Sequence, residues 1–322
     1  MTLTQLRYVL SVARHLSFVR AAEECHVAQP SLSTQIKKLE DELGTAIFDR
    51  NQKGVRLTEV GDMIVKQAQV VLSESERLSE IAAHFQNKVQ GVLRLGLIPT
   101  VAPYLTPYFL KVLSQQFPDL EVKIFEETTE NLMRDLGQGQ LDAAILSPPA
   151  KAPYDLIEKV LYYEPFVIFA NPSHHFLKLK QIATRDLSGE APVLLDETHC
   201  LRDQVEGICH TKKSAKTKIQ LQQGTLLTLV SLVNQQDSYT LLPLLAAERL
   251  PREQRQRQVR EFSGAIPNRK ISMVFHKSYV KRSLLEALEK LILENLPESV
   301  EARLHGKMIV VNPQNRHFKK ES

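Results

Sequence analysis

The chain reads as an α/β protein with an N-terminal winged helix-turn-helix, a long linker helix and a two-lobed α/β domain. Three observations carry that reading. Three short amphipathic helical patterns joined by tight turns fill the first 44 residues. A heptad stripe follows, and from Val92 strand patterns alternate with helical ones, the texture of α/β architecture with largely parallel sheets.

Leu6, Val9, Leu10 and Ala13 fall at helical spacing, and Phe18, Ala21, Ala22 and Cys25 repeat it. Cys25 lies on the apolar face and reads as core. The turn His26-Val27-Ala28-Gln29 leads to Pro30, a residue suited to the first helical turn. In the third helix Leu32, Ile36, Leu39 and Leu43 share one face until Gly44 ends it. The other face offers Gln29, Ser31, Ser33, Thr34, Lys37 and Lys38, groups that meet base edges and phosphates in a major groove. With Pro30 at its entrance, this set is the expected DNA-reading surface.

Ile47-Phe48-Asp49-Arg50 and Val55-Arg56-Leu57-Thr58 can pair across Asn51-Gln52-Lys53-Gly54 as a β-hairpin wing. Arg50, Lys53 and Arg56 then face phosphates, contacts that position without specifying sequence. Residues 1–58 carry eight Lys/Arg and six Asp/Glu, so charge alone does not separate this arrangement from a generic helical bundle. The order of helices, the Ala21-Ala22 pair and Pro30 favour DNA.

Thr58 caps the next helix, expected to run to about Val89. Its seam of Ile64, Ala68, Val71, Ser75, Leu78, Ala82 and Phe85 alternates steps of four and three, the mark of a helix packed on a partner helix. A dimer fits, because a symmetric operator needs two readers a whole number of DNA turns apart.

Leu93 to Ile98 is a strand, Tyr104 to Gln116 a helix, and Glu121 to Glu126 and Ala143 to Leu146 further strands. Phe166 to Ala170 starts a second set, Thr240 to Pro243 continues it, and Lys270 to His276 returns before the helix Leu284 to Leu296. The expected shape is two lobes around a cleft, resembling periplasmic binding proteins, with crossings near Tyr163 and Pro267. The boundaries are then 1–58 for the winged helix-turn-helix, 59–90 for the linker, and 91–300 for the two-lobed domain. Lobe one takes 91–162 and 268–300, lobe two takes 163–267, and 301–322 is a loosely ordered tail. Thr100 projects from a strand's carboxyl end, where open α/β sheets bind ligands, with Thr129 on the facing loop. The basic stretch Arg249 to Arg260 reads as a solvated helix or loop, since its glutamates and glutamines argue against a nucleic-acid patch.

Composition narrows the function classes. With 322 residues, 43% of them hydrophobic, the chain is globular, and its net charge of +4 is too mild to identify a partner. No apolar run reaches the ~18 residues of a membrane span, and the N-terminus lacks the pattern of a secretory signal. A cytoplasmic, non-membrane protein is expected, and there structural disulfides are rare. The three cysteines, Cys25, Cys200 and Cys209, form no Cys-x-x-Cys, and no His-x-x-x-His cluster accompanies them, so no metal is expected. The absence of a glycine-rich phosphate loop or a Gly-x-Ser-x-Gly elbow leaves no expected cofactor and no enzyme motif.

Cys200 and Cys209 remain. Pro192 to Leu195 reads as a short buried strand, and the segment from about His199 as a helix. Cys200 then occupies the first helical turn, where free backbone N–H groups, His199 and Arg202 favour a thiolate. Across a helical 200–209 segment the Cα atoms stand about 13 Å apart, from nine rises of ~1.5 Å, whereas a disulfide tolerates at most about 7 Å. Bridging them requires unwinding, the behaviour of a redox switch. The other reading makes both small core residues.

At the level of motifs, residues 1–300 resemble the LysR-type transcriptional regulators. The matching residues are Ala21-Ala22, Gln29-Pro30-Ser31-Leu32-Ser33, Leu39-Glu40, Leu43-Gly44, Phe48, Arg50 and Leu57-Thr58. Gly96-Leu97-Ile98-Pro99-Thr100-Val101 and His199-Cys200-Leu201-Arg202-Asp203-Gln204 with Cys209 are similar to that family's peroxide-sensing branch. The resemblance implies that Cys200 is the peroxidatic residue and Cys209 the resolving one. It also implies that Thr100, Thr129, His199, Arg202 and Asp203 line or support a peroxide pocket. Further implications are a homotetramer built as a dimer of dimers, double-stranded promoter DNA, hydrogen peroxide, RNA polymerase and a cellular dithiol reductant as partners, and antioxidant genes as targets. The chain departs from the pattern at Thr198, where a glycine is expected, at Gln236-Asp237-Ser238 before Tyr239, and near Gln220, where a histidine is absent. The competing readings are a metabolite-sensing LysR-type regulator with structural cysteines and a thiol peroxidase.

Overall fold

The computed structural model describes residues 1–52, 54–84, 91–149, 155–209, 224–277, 279, 281–301 and 308–311. Two compact units result, one built on Met1–Lys88 and the other on Val89–Gly137 with Leu141–Ser322. Among the described residues no helix is long and apolar enough to cross a membrane.

In the first unit, α1 (Leu3–His15), α2 (Phe18–Glu24) and α3 (Gln29–Leu43) precede the hairpin β1 (Phe48–Gln52) and β2 (Gly54–Leu57) and the long α4 (Glu59–His84). Thr2 and Gln5 cap α1 reciprocally, each side chain accepting from the other's backbone N–H at 3.2 and 2.8 Å. Leu6, Val9, Val12, Ala21, Ala22, Leu32, Ile36 and Leu39 close on one another with Ile47 and Phe48 as a single core. Cys25 is half-buried and packs against it. The hairpin pairs Phe48 with Leu57 and Asp49 with Arg56.

Two expectations change here. Leu43 is 41% exposed, because the chain leaves the helix directly after it through Gly44, whose φ of +68° is the left-handed conformation that favours glycine. The α4 stripe is also divided: Ala68 is buried in the unit's own core beside Leu72, while Leu78 is 70% exposed. Ala68 and Leu72 pack α4 on its own unit, whereas Leu78 further along the same stripe is exposed. Phe85 and Val89 fall outside the described residues.

The second unit is a mixed sheet with helices. β3 (Gly91–Leu97), α5 (Ala102–Gln116), β4 (Leu120–Glu126), α6 (Thr129–Gly137) and β5 (Ala143–Leu146) supply its parallel part. Then come β6 (Leu156–Ala170), the short β7 (Gln181–Ile182), α7 (Cys200–Cys209), α8 (Leu226–Gln235) and β8 (Tyr239–Pro243). α9 (Leu244–Glu248), α10 (Arg252–Gln258), β9 (Val259–Phe262), β10 (Ile266–His276), α11 (Arg282–Glu294), α12 (Glu298–Glu301) and β11 (Met308–Val310) complete the order. The strand path is β4-β3-β5-β10-β6-β9-β7, with β11 on β10 and β8 on β6.

The sheet is not largely parallel. β6 and β10 are long antiparallel neighbours, paired from Leu156↔His276 to Pro165↔Asn268, and β6 continues into pairing with β8 from Phe166↔Pro243 to Ala170↔Tyr239. β6 thus starts ten residues earlier than Phe166, where the second set was expected to begin, because its first half completes the sheet of β3, β4 and β5. Pro192 to Leu195 is not a strand. Val193 alone makes ladder-like contacts, its N–H donating to the Tyr239 carbonyl at 2.8 Å and its carbonyl accepting from the Thr240 hydroxyl at 2.8 Å. Pro192, lacking an N–H, cannot extend the pairing. The tail also contains structure, since Met308–Val310 pairs in parallel with Ile266–Asn268.

Gly96 positions one wall of the site described below. A Cβ there would stand 2.4 Å from Leu132 Cδ2 and 2.8 Å from Leu141 Cδ1, so any larger residue would displace these two buried leucines.

Candidate functional site

α7 spans Cys200–Cys209 among the described residues, its start within one residue of the one expected near His199. Its entry is an Asx turn in which Asp196 Oδ1 accepts from the Thr198 N–H at 2.8 Å. Cys200, Leu201, Asp203, Gln204, Val205, Ile208 and Cys209 are buried, leaving Arg202, Glu206 and Gly207 outward. Two contacts pin the middle of the helix: Gln204 Nε2 donates to Ser147 Oγ at 2.9 Å and to the Val311 carbonyl at 3.2 Å. Both thiols are free, and a continuous helix separates their Cα atoms by about 13 Å.

The surroundings of Cys200 come from distant strands. Arg269 on β10 and Glu164 on β6 face each other in register and are 0% and 1% exposed. Arg269 Nε and Nη2 donate to Glu164 Oε2 at 2.9 and 2.7 Å, Nη1 donates to Thr100 Oγ1 at 2.9 Å, and Nη2 also donates to the Thr100 carbonyl at 2.9 Å. Glu164 Oε1 accepts from the Leu245 N–H at 3.0 Å. A buried ion pair persists only when its polar atoms find partners, and every guanidinium nitrogen and both carboxylate oxygens do so here.

Burial raises the Cys200 thiol above its ordinary pKa, Arg269 acts most strongly against that rise, and Thr129 acts in the same sense as Arg269. Thr128 rather than Thr129 caps α6, its hydroxyl accepting from the Asn131 N–H at 3.4 Å. The Thr129 hydroxyl, buried and without a partner of normal hydrogen-bond geometry among the described residues, is left to the thiol. Asp203 adds a smaller opposing charge.

The expected depression of the Cys200 pKa is therefore not what the fold produces. Arg202 points along the outer face, where Nε donates to Glu206 Oε1 at 3.0 Å and Nη1 to the Leu195 carbonyl at 3.1 Å. His199 is buried and its pKa is lowered by that burial, against Asp196, whose Oδ2 stands 3.8 Å from Nε2. An imidazole held neutral adds no charge to favour a thiolate. The cation that serves Cys200 is Arg269, which sequence reasoning missed. A signal existed: Arg269 and Glu164 are opposite charges at the edges of two apolar strands.

At the other end, Tyr239 Oη lies 3.7 Å from Cys209 Sγ and 3.0 Å from the Glu190 carbonyl. Burial pushes the Cys209 thiol up to about 11, and among the described residues only the Tyr239 hydroxyl acts to lower it. Burial likewise holds the Tyr239 hydroxyl well above its ordinary value.

In the first unit, α3 carries Gln29, Pro30, Ser31, Thr34, Lys37 and Lys38 exposed on one side, with Ser33 half-buried. The Thr34 hydroxyl donates to the Pro30 carbonyl at 2.8 Å, so its proton is occupied within the helix. Arg56 on β2 is exposed, while Lys53 and the Arg50 side chain lie outside what is described.

Residues 3–62 match the bacterial regulatory helix-turn-helix family of lysR type, and residues 86–297 match the LysR substrate binding domain. Among curated proteins, the chain is 37% identical over 309 residues to the DNA-binding transcriptional dual regulator OxyR of Escherichia coli, covering 95% of this chain and 97% of that one. A hydrogen peroxide-inducible genes activator of Pectobacterium carotovorum is 36% identical, with 92% and 97% covered. Among solved structures, a full-length OxyR variant from Pseudomonas aeruginosa superimposes with a TM-score of 0.73 at 34% identity, covering 92% of this chain and 99% of that one. A hydrogen peroxide-bound OxyR mutant from Corynebacterium glutamicum gives 0.60 at 28% identity, with 94% and 96% covered.

Proposed function

The chain belongs to the LysR family of transcriptional regulators and closely resembles OxyR, and from that premise we propose that it is a peroxide-responsive, DNA-binding regulator switched at Cys200 and Cys209. The observation that carries this reading is two free, buried thiols on the ten-residue α7, of which, among the described residues, only Cys200 lies beside a buried guanidinium.

Peroxide reaches Cys200 beside Thr129 and the Thr100-bound Arg269. Cys200 reacts as thiolate, its charge opposed by Arg269 and Thr129, and attacks one peroxide oxygen. The O–O bond breaks, Cys200 becomes a sulfenic acid, and the departing hydroxide leaves as water after taking up the thiol's proton. Cys209 then attacks the sulfenic sulfur, the S–O bond breaks, a second water leaves and the disulfide forms. The balance is two thiols and one peroxide to one disulfide and two waters.

The joined sulfurs cannot occupy the two ends of α7, so the segment refolds. Refolding alters how regulatory domains pair in a homotetramer and moves the DNA-reading heads on double-stranded promoter DNA, changing RNA polymerase recruitment at antioxidant genes. A cellular dithiol returns the switch to its reduced form in the cytoplasm.

Operator footprints of wild type and Cys200→Ser, with and without peroxide, test the reading alongside peroxide consumption per subunit. The expected result is an oxidation-dependent footprint in wild type alone and about one peroxide consumed per subunit. A footprint that still shifts in Cys200→Ser overturns it. Many turnovers at constant reductant would instead make the chain a peroxidase, and a footprint responding only to a metabolite would make it a metabolite sensor.

A further inference from the structure

A cluster outside the peroxide pocket has the chemistry of a metal site. His174 immediately precedes a short 3-10 turn, His175–Lys178, and its ring stacks on that of His175 with centroids 4.7 Å apart and planes 27° apart. Glu190 faces both imidazoles, with Oε2 3.1 Å from His174 Nε2 and Oε1 3.4 Å from His175 Nε2. One ligand atom from each of the three residues lies within 4.8 Å of the others.

We propose that His174, His175 and Glu190 bind a divalent transition metal, for which zinc is the best match, beside the Cys209 end of α7. Two imidazoles and one carboxylate form a borderline ligand set suited to zinc, with water completing a tetrahedron. Zinc–nitrogen and zinc–oxygen bonds of about 2.0–2.2 Å set neighbouring tetrahedral ligands about 3.3 Å apart. His174 Nε2 stands 3.1 Å from Glu190 Oε2 and His175 Nε2 3.4 Å from Oε1, so a turn of the part-exposed carboxylate brings a single oxygen within reach of a metal shared by both rings. His174 is buried, while the side chains of His175 and Glu190 are 55% and 42% exposed, giving one fixed wall and one entry path. Ligation through His174 Nε2 places that ring's proton on Nδ1, so the long 3.3 Å bond from the Phe176 N–H is released on loading. Cysteine and His-x-x-x-His spacing miss this set, because adjacent histidines meet a glutamate only in the fold.

The site also bears on the switch. Tyr239 Oη bridges the Glu190 carbonyl and Cys209 Sγ, so Glu190 and the second thiol share one hydroxyl. Zinc on the Glu190 carboxylate restrains residue 190, keeps that hydroxyl in place and slows the departure of Cys209 from its pocket. Metal binding is independent of the redox reading; the effect on Cys209 rests on it.

The test uses reduced, metal-free, full-length protein titrated with cobalt(II) by absorption and with zinc against a chromophoric chelator. One metal per chain is expected, with no intense thiolate-to-metal band. His175→Ala, which removes an exposed ring, and Glu190→Gln are each expected to weaken zinc binding by more than about tenfold, and Cys209→Ser to leave it unchanged. Absence of stoichiometric binding to wild type, equal affinity in His175→Ala, or a thiolate band lost in Cys209→Ser overturns the site. With peroxide added, zinc is expected to slow disulfide formation in wild type and not in His175→Ala. Equal rates overturn the coupling alone, and a chain that forms no disulfide at all counts against the redox reading while the titration still decides the site.

Discussion

The two ends of α7 carry the same functional group in opposite surroundings. At the first residue, Cys200 meets a cation from β10 and the Thr129 hydroxyl from α6; at the last, Cys209 meets, among the described residues, the Tyr239 hydroxyl and the apolar core. Burial raises both thiols, so burial does not distinguish them. The difference is compensation. Arg269, itself held by Glu164 and Thr100, gives the charged form of Cys200 a partner, whereas among the described residues a charged Cys209 has only Tyr239. One end is built to host a charge briefly and the other to keep its proton. That asymmetry supports the proposed order, in which Cys200 is oxidised first.

The largest effect expected from breaking this comparison is on the first oxidation. Cys200→Ser should lower the rate at which the reduced chain consumes peroxide by roughly a hundredfold or more, whereas Cys209→Ser should leave the first step near wild type and stall the protein as a sulfenic acid. Stopped-flow consumption with dimedone trapping and mass spectrometry reads both. Similar first-step rates in the two variants would mean that the compensation at Cys200 does not matter.

Next in size is the ion pair. Arg269→Gln leaves a buried carboxylate uncompensated and should cost about 3–5 kcal/mol in denaturant unfolding. Removing both charges as Arg269→Met with Glu164→Leu should recover part of that stability while leaving the thiol without its cation. The double variant therefore separates fold from chemistry: folded but slow toward peroxide is the expected outcome. Because the attacking species is the thiolate and the Cys200 pKa is raised, the wild-type rate should climb about tenfold per pH unit through neutrality, and the double variant's climb should lie at higher pH.

Tyr239→Phe removes the hydroxyl that holds Cys209 in its pocket and should cost about 1 kcal/mol, hasten disulfide closure and leave sulfenic acid formation unchanged. The same end sets an alkaline limit. The folded state holds the Cys209 proton more tightly than the unfolded chain does, since its pKa is about 11 against an ordinary 9.0. That contribution is complete below pH 9.0 and is lost as pH rises through about 11, measurable as a fall in unfolding free energy that Cys209→Ala lacks. The smallest effect belongs to Arg202, a half-buried partner of Glu206 four residues along the helix. Arg202→Gln should change stability by only about 0.5 kcal/mol and the peroxide rate hardly at all.

Local patterns in the sequence were enough for the three N-terminal helices, the hairpin wing, the start of α4 at Thr58 and the placement of a helix between Cys200 and Cys209. Each rests on periodicity or capping within a few residues, and so does the separation of the two sulfurs, which follows from helical rise alone. The electrostatics of Cys200 were not legible that way. Arg202 and His199 stand beside the thiol in sequence but are turned away or neutral in space, while the effective cation reaches Thr100 across 169 residues and Glu164 across 105. The same limit hid the division of the α4 stripe and the meeting of His174, His175 and Glu190. Helical rise and side-chain period are short-range properties that a chain carries in any context. Desolvation and charge pairing depend on which distant segments close around a group, and only the folded sheet of β6 and β10 decides that.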